Sequence, residues 1–166
     1  TTAALALGDA LAVALLDARG FGPDDFARSH PGGSLGRRLL THVRDVMRSG
    51  DDVPTVGPLT GVSDAILAMS RGGLGLVAVV GDAGRVLGIF TDGDLRRAFE
   101  KHIDLQSARI DSVMHANPRT IAPDRLAVEA VEMMERYRIN ALLVADADGR
   151  LLGALNMHDL FTARVI

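Results

Sequence analysis

The 166-residue sequence contains no cysteine and no tryptophan, a single tyrosine and five phenylalanines. Without cysteine there is no disulfide, no thiolate metal ligand and no cysteine nucleophile. That usage fits a reducing compartment, and a cytoplasmic setting is expected. Few flat aromatic faces are available for unpaired bases to stack on. An excess of positive charge is also missing, since 18 Lys and Arg stand against 21 Asp and Glu, for a net charge of -3. No global positive field exists to hold a polyanion, so nucleic acid is not an expected partner. His30, His42, His102, His115 and His158 are scattered, without the spacing that sets two imidazoles on one helical face, and no metal site is expected. Gly72-Gly73-Leu74-Gly75 precedes an apolar run instead of following one, the wrong context for a dinucleotide fingerprint.

The apolar content, 48% of residues, is that of a folded chain, and the length suits one domain or two small ones. The sequence enters at once an Ala/Leu-rich segment, Ala3 to Leu16, broken by Gly8 and Asp9. It has no basic leader, it carries Asp9 and Asp17, and its uninterrupted apolar runs are too short to span a bilayer. Neither a signal peptide nor a membrane segment is expected. A helix this apolar on most of its surface is expected to be buried on several sides, as the tail of a larger domain lying upstream.

A repeat organises the remainder. GRVLGIFTDGDL at 84–95 and GRLLGALNMHDL at 149–160 share Gly, Arg, Leu, Gly, Asp and Leu in one frame, at an offset of 65. The frame runs upstream without a gap through Thr55 and Thr120, Pro58 and Pro123, Ala65 and Ala130, Met69 and Met134, and Val79 and Val144. A further pair, Val46-Met47 and Val113-Met114, recurs at 67, so two residues were gained or lost between that pair and the next element. Each copy predicts a short extended piece, then a helix with an apolar face (Val62, Ala65, Ile66, Met69; Val128, Val131, Met134). Two strands follow, Leu76 to Val80 with Val86 to Phe90, and Ala141 to Ala145 with Leu151 to Leu155. Asp- and Gly-bearing turns join them, and a second helix begins near Asp92 or Met157. One β-α-β-β-α copy leaves a sheet face uncovered, so the two should pack together with approximate two-fold symmetry.

Thr91 and Asp94 stand where a strand gives way to a helix. A hydroxyl followed three residues later by an acid is a capping box. The same place suits a phosphate-bearing ligand, because the start of a helix presents free N–H groups and the positive end of its dipole. A carboxylate repels phosphate, so in the ligand reading Asp94 takes neutral sugar hydroxyls and Thr91 with the backbone takes the phosphate. In the second copy Asn156 replaces the threonine and His158 replaces Gly93, while Asp159 remains. Asn caps a helix as well as Thr does, so the fold is served, but the phosphate contact is in question. His158 is either a surface residue or a group approaching an acidic ligand, whose charge would answer to mild acidification. Arg96 and Arg97 either serve an anion or form a solvated helix face. Thr55 and Thr120 are candidates for polar contacts in the clefts. Met47, Met114, Met133 and Met134 are expected to fill gaps in the core.

The tandem frame, with its Gly88, Thr91, Asp92 and Asp94 pattern, resembles a pair of CBS domains from about Val43 to Ile166. The resemblance implies an α+β regulatory module whose inter-repeat clefts accept nucleotides, commonly adenosine derivatives. Upstream, SHPGGSLGRRL at 29–39 and TTAALALGDALAVALL at 1–16 are similar to the sugar-phosphate isomerases that join an α/β SIS domain to a CBS pair. That resemblance implies three parts: the end of a SIS domain over 1–42, one CBS domain over 43–104 and a second over 105–166. It implies a parent enzyme that interconverts D-ribulose 5-phosphate and D-arabinose 5-phosphate through an enediol, as a homo-oligomer (dimer or tetramer) with no metal or organic cofactor required. His30 is the candidate catalytic residue. On its residues alone it reads first as a turn histidine with no task, held extended by Pro31 ahead of two glycines. The resemblance places it in the active site of the full-length enzyme, and the chain alone is expected to be inactive. The implied ligand of the CBS pair is an adenine nucleotide or the sugar nucleotide CMP-Kdo.

Overall fold

The computed structural model describes residues 1–22, 25 and 40–166. Candidate His30 and its Pro-Gly-Gly turn lie outside the described residues. Helix α1 (Thr2–Ala18) and the one-turn helix α2 (Val43–Val46) precede the first repeat, which runs β1 (Thr55–Val56), α3 (Val62–Gly72), β2 (Leu76–Val80), β3 (Val86–Thr91) and α4 (Asp92–Glu100). A short strand β4 (His115–Ala116) leads to the second repeat: β5 (Thr120–Ile121), α5 (Ala127–Tyr137), β6 (Ala141–Ala145), β7 (Leu151–Asn156) and α6 (Met157–Thr162).

The 65-residue frame is realised register by register. β1 runs parallel to β2 with Thr55 opposite Ala78, and β5 parallel to β6 with Thr120 opposite Leu143. β2 and β3 are antiparallel with Leu76 opposite Thr91; β6 and β7 repeat this with Ala141 opposite Asn156. Even the irregularity recurs, between Val79 and Val80 in one hairpin and between Val144 and Ala145 in the other. Gly84 and Gly149 close these turns at φ +73° and +77°, a conformation that costs an L side chain about 1–2 kcal/mol. The two hairpins meet at the pseudo-two-fold, where Arg85 bridges its own counterpart Arg150.

Each repeat has a core under its helices, and a third core joins them. Val62, Ala65, Met69, Val77, Val79, Phe90 and Ile110 form the first, and Ile121, Ala127, Ala130, Val131, Met134, Leu142, Val144, Leu155 and Leu160 lie in the second. Between the sheets, Leu74, Leu76, Ala78 and Ile89 of one repeat pack against Leu143 and Ala154 of the other. The expected gap-filling methionines behave accordingly: Met134 is buried, while Met47, Met114 and Met133 are partly buried against the cores.

The segment ahead of each repeat docks on the other repeat. Val43 sits in the core of the second repeat, donates its N–H to the Arg125 carbonyl at 2.8 Å, and Ala127 donates back to Thr41 at 2.8 Å. Reciprocally, Ile110 lies in the core of the first, donates to Thr60 at 2.8 Å, and Val62 donates to Ala108 at 3.0 Å. Arg48 then pairs with Ala154, and β4 pairs with β3. The two residues that distinguish the 67 and 65 offsets are absorbed in a 3-10 turn, Gly50–Asp52, ahead of β1.

Helix α1 is buried on no side: none of its residues is buried, and Leu5, Leu7, Leu11, Val13, Leu15 and Leu16 are exposed. Its composition describes what such a helix needs, and nothing among the described residues supplies the covering surface. No helix among the described residues is long and apolar enough to cross a membrane.

Candidate functional site

Strand β3 ends at Thr91, whose extended backbone (φ -123°) turns the chain into α4 and makes it the N-cap. Its hydroxyl accepts from the Asp94 N–H at 3.3 Å and donates to Asp94 Oδ2 at 2.6 Å, while the Thr91 N–H donates to the same Oδ2 at 2.9 Å. Arg97, one turn along, donates to Asp94 Oδ1 at 2.6 Å. The capping box is therefore formed. A carboxylate offers roughly four acceptor positions, so a diol can join Asp94 by taking the free position or displacing Arg97. Asp92 is exposed and anchors its N–H on the Gly75 carbonyl at 3.2 Å, which closes the helix start against the beginning of β2. Arg96 is exposed on α4.

The second copy builds the same box from Asn156, whose Oδ1 accepts from the Asp159 N–H at 3.0 Å. Asp159 Oδ2 accepts from the Asn156 N–H at 3.1 Å. Its other oxygen takes a cation from elsewhere: Arg48 Nε and Nη2 donate to Oδ1 at 3.1 and 2.9 Å. Arg48 also donates to the Gly72 carbonyl at 3.3 Å, and Asn156 Nδ2 reaches the Leu74 carbonyl at 3.5 Å, so the box faces the seam between the repeats. His158 is exposed.

Thr55 and Thr120 do not join either box. Both are exposed, and each lines a separate cavity beside its edge strand. Thr55 shares about 310 Å³ with Pro54, Ala68, Arg71 and Gly72. Thr120 shares about 370 Å³ with the counterparts Arg119, Met133, Arg136 and Tyr137. The Arg119 guanidinium lies 3.6 Å over the Tyr137 ring. Among the described residues no group of three His, Asp or Glu side chains is placed to hold a metal ion.

Arg48 and His115 are the residues that sequence reasoning passed over. The Val-Met pairs at offset 67 already mark them as counterparts, because each directly follows its methionine. The structure agrees, since Arg48 lies opposite Ala154 and His115 opposite Ile89, positions that are 65 apart.

The family model for the CBS domain matches residues 43–101 and 110–166. The chain belongs to the CBS-domain family. Its paired repeats form a tandem CBS module, and a CBS-domain-containing protein from Agrobacterium tumefaciens has the same fold, with a TM-score of 0.66 and 29% identity over 75% of this chain and 93% of that one. The CBS pair CBSX2, solved in complex with AMP, matches with a TM-score of 0.64 at 24% identity over 74% of this chain and 95% of that one. Relatives named arabinose 5-phosphate isomerase KdsD match the whole chain, at 53% identity in Pseudomonas aeruginosa and 52% in Yersinia pestis. This CBS chain spans about half the length of those relatives, 51% and 50% respectively.

Proposed function

We propose that the chain is the regulatory CBS module of a D-arabinose 5-phosphate isomerase and binds a nucleotide or sugar nucleotide in the cleft at Thr91 and Asp94. The observation that carries the parentage is identity above half over all 166 residues, including the stretch ahead of the CBS repeats. In this reading residues 1–42 close a SIS domain, 43–104 and 105–166 are the two CBS domains, and the exposed apolar side of α1 is covered by the isomerase body. The parent is a cytoplasmic homo-oligomer that interconverts D-ribulose 5-phosphate and D-arabinose 5-phosphate through an enediol, in the Kdo branch of lipopolysaccharide synthesis. His30 manages protons at the sugar oxygens, work suited to a group titrating near neutrality. The chain by itself turns over no sugar phosphate.

The ligand reading draws support from the Thr91–Asp94 geometry and from a solved CBS pair that holds AMP. Asp94 takes ribose hydroxyls, while Thr91 and a freed Arg97 take the phosphate. An adenine nucleotide would report energy state, and CMP-Kdo would report the end of the pathway. Either must bind two conformations unequally to regulate the enzyme. Thermal unfolding with AMP, ATP and CMP-Kdo tests this. A ligand at 100 times its dissociation constant stabilises the fold by about 2.7 kcal/mol, and no response to any of the three refutes the sensing role. The exposed leucines of α1 favour a second reading, in which the CBS pair only assembles the isomerase. Self-association in sedimentation, without any nucleotide response, is its signature.

A further inference from the structure

We infer that Arg48 seals the second cleft from within, so that the chain holds a single nucleotide at Thr91 and Asp94 and none at Asn156 and Asp159. This rests on the reading of these clefts as nucleotide sites. The two repeats share a backbone register but neutralise their motif aspartates from opposite directions. Asp94 is paired by Arg97 from its own helix, at i+3, with the arginine side chain 58% exposed. Asp159 is paired across the module by Arg48, whose side chain is 31% exposed and whose third hydrogen bond goes to the Gly72 carbonyl of the opposite repeat.

The residue types at equivalent positions account for the exchange. Gly93 has no side chain, and Arg97 Nη1 lies 3.4 Å from the place its Cβ would take, so the arginine folds over the first turn of α4. In the second repeat that place belongs to His158, and the position equivalent to Arg97 is Thr162, which carries no charge. A carboxylate with a side chain only 13% exposed requires a partner. The linker supplies it: Arg48 stands where the first repeat is served by His115, which is exposed and makes no hydrogen bond or ion pair to Asp94.

The consequences for a ligand differ. Both carboxylates are nearly buried, Asp94 at 10% and Asp159 at 13% side-chain exposure, so the contrast lies in the arginines: Arg97, 58% exposed and bound to Asp94 alone, can swing into solvent to make way for a ligand. The Arg48 fork occupies the seam itself. It takes up Asp159 Oδ1, while Asn156 takes up Oδ2 and spends its amide on Leu74. A nucleotide entering there would have to break three hydrogen bonds of one guanidinium, two to Asp159 and one to Gly72, before its hydroxyls could reach the carboxylate.

Titration calorimetry with AMP on the chain and on Arg48→Gln tests the inference. The chain should bind a single AMP and the variant two, with the first affinity changed less than threefold. Two AMP molecules on the unaltered chain, one of them lost in Asp159→Asn, would overturn the seal and leave the nucleotide reading standing. No binding by the chain with one AMP bound by Arg48→Gln would support the seal and refute the assignment of the ligand to Asp94. No binding by either protein, with the titration repeated for ATP and CMP-Kdo, overturns both. Should Arg48→Gln fail to fold, Arg48→Lys retains the charge and the stem but loses the fork. Gain of a second AMP by that variant supports the seal, and an unchanged stoichiometry contradicts it.

Discussion

Gly153→Ala and Gly88→Ala change equivalent positions in strands β7 and β3, yet the structure demands unequal costs. A methyl group at 153 would lie 2.5 Å from the Arg48 carbonyl oxygen and 2.8 Å from Met47 Sδ. The carbonyl belongs to backbone held by two ladder bonds, Arg48 N–H to Ala154 O at 2.8 Å and Ala154 N–H to Arg48 O at 3.0 Å. Relief requires the linker to move. Overpacking costs about 1–3 kcal/mol, and loosening both ladder bonds adds about 1 kcal/mol each, so a loss of about 3–5 kcal/mol is expected. For a chain of this size that lowers the unfolding midpoint by about 10 °C. At Gly88 the closest atom is Met114 Sδ, the nearest backbone atom is His115 O at 3.2 Å, and a methionine side chain re-rotates readily. The expected loss there is about 1–2 kcal/mol. Thermal unfolding followed by circular dichroism reads both, and a compensating change separates the mechanisms. Met114→Ala should rescue Gly88→Ala, whereas Met47→Ala should fail to rescue Gly153→Ala because the carbonyl remains. Equal losses at the two glycines, or full rescue by Met47→Ala, would refute this account of how the linker is docked.

Three further outcomes follow from local geometry. Arg138 ends α5 at φ +52°, in the slot where Gly73 ends α3 at φ +61°, so Arg138→Gly should stabilise the chain by about 0.5–1 kcal/mol; a lower denaturation midpoint would contradict it. Thr91→Ala and Asn156→Ala each remove a side-chain cap and should each cost about 1 kcal/mol, but only the threonine variant should weaken nucleotide binding by calorimetry. The Ser107 hydroxyl, followed by the Gln106 N–H, holds the Asp104 carboxyl below its ordinary value near 3.8. Its contribution to stability is thus present above that ordinary value and lost as pH falls through the lowered one. Carboxyl NMR should show Asp104 titrating below an unpaired aspartate and Ser107→Ala moving it upward, and an unmoved midpoint would count against the Ser107 bond.

The internal repeat made much of the module legible from residue types. A frame held at 65 predicts paired hairpins, and the structure repeats even their irregularity at Val79 and Val144. Asn156 was readable as a cap because its carbonyl accepts as a threonine hydroxyl does. The linker exchange was not legible, because Val43 and Ile110 join cores built from distant segments, and local periodicity carries no signal of long-range pairing. A single arginine in a linker reads as surface until its partner, 111 positions away, is known. The frame matched Thr55 to Thr120, and the structure sets each on the wall of a cavity beside its edge strand, a placement that sequence spacing alone does not give.

The most direct test of the central claim is a map of backbone amide shifts in the labelled chain on adding AMP, then CMP-Kdo. Binding at the first motif predicts saturable changes at Gly75, Thr91 to Asp94, Arg97 and His115, abolished in Asp94→Ala. Changes confined to Arg119, Arg136 and Tyr137, or none with either nucleotide, would contradict it.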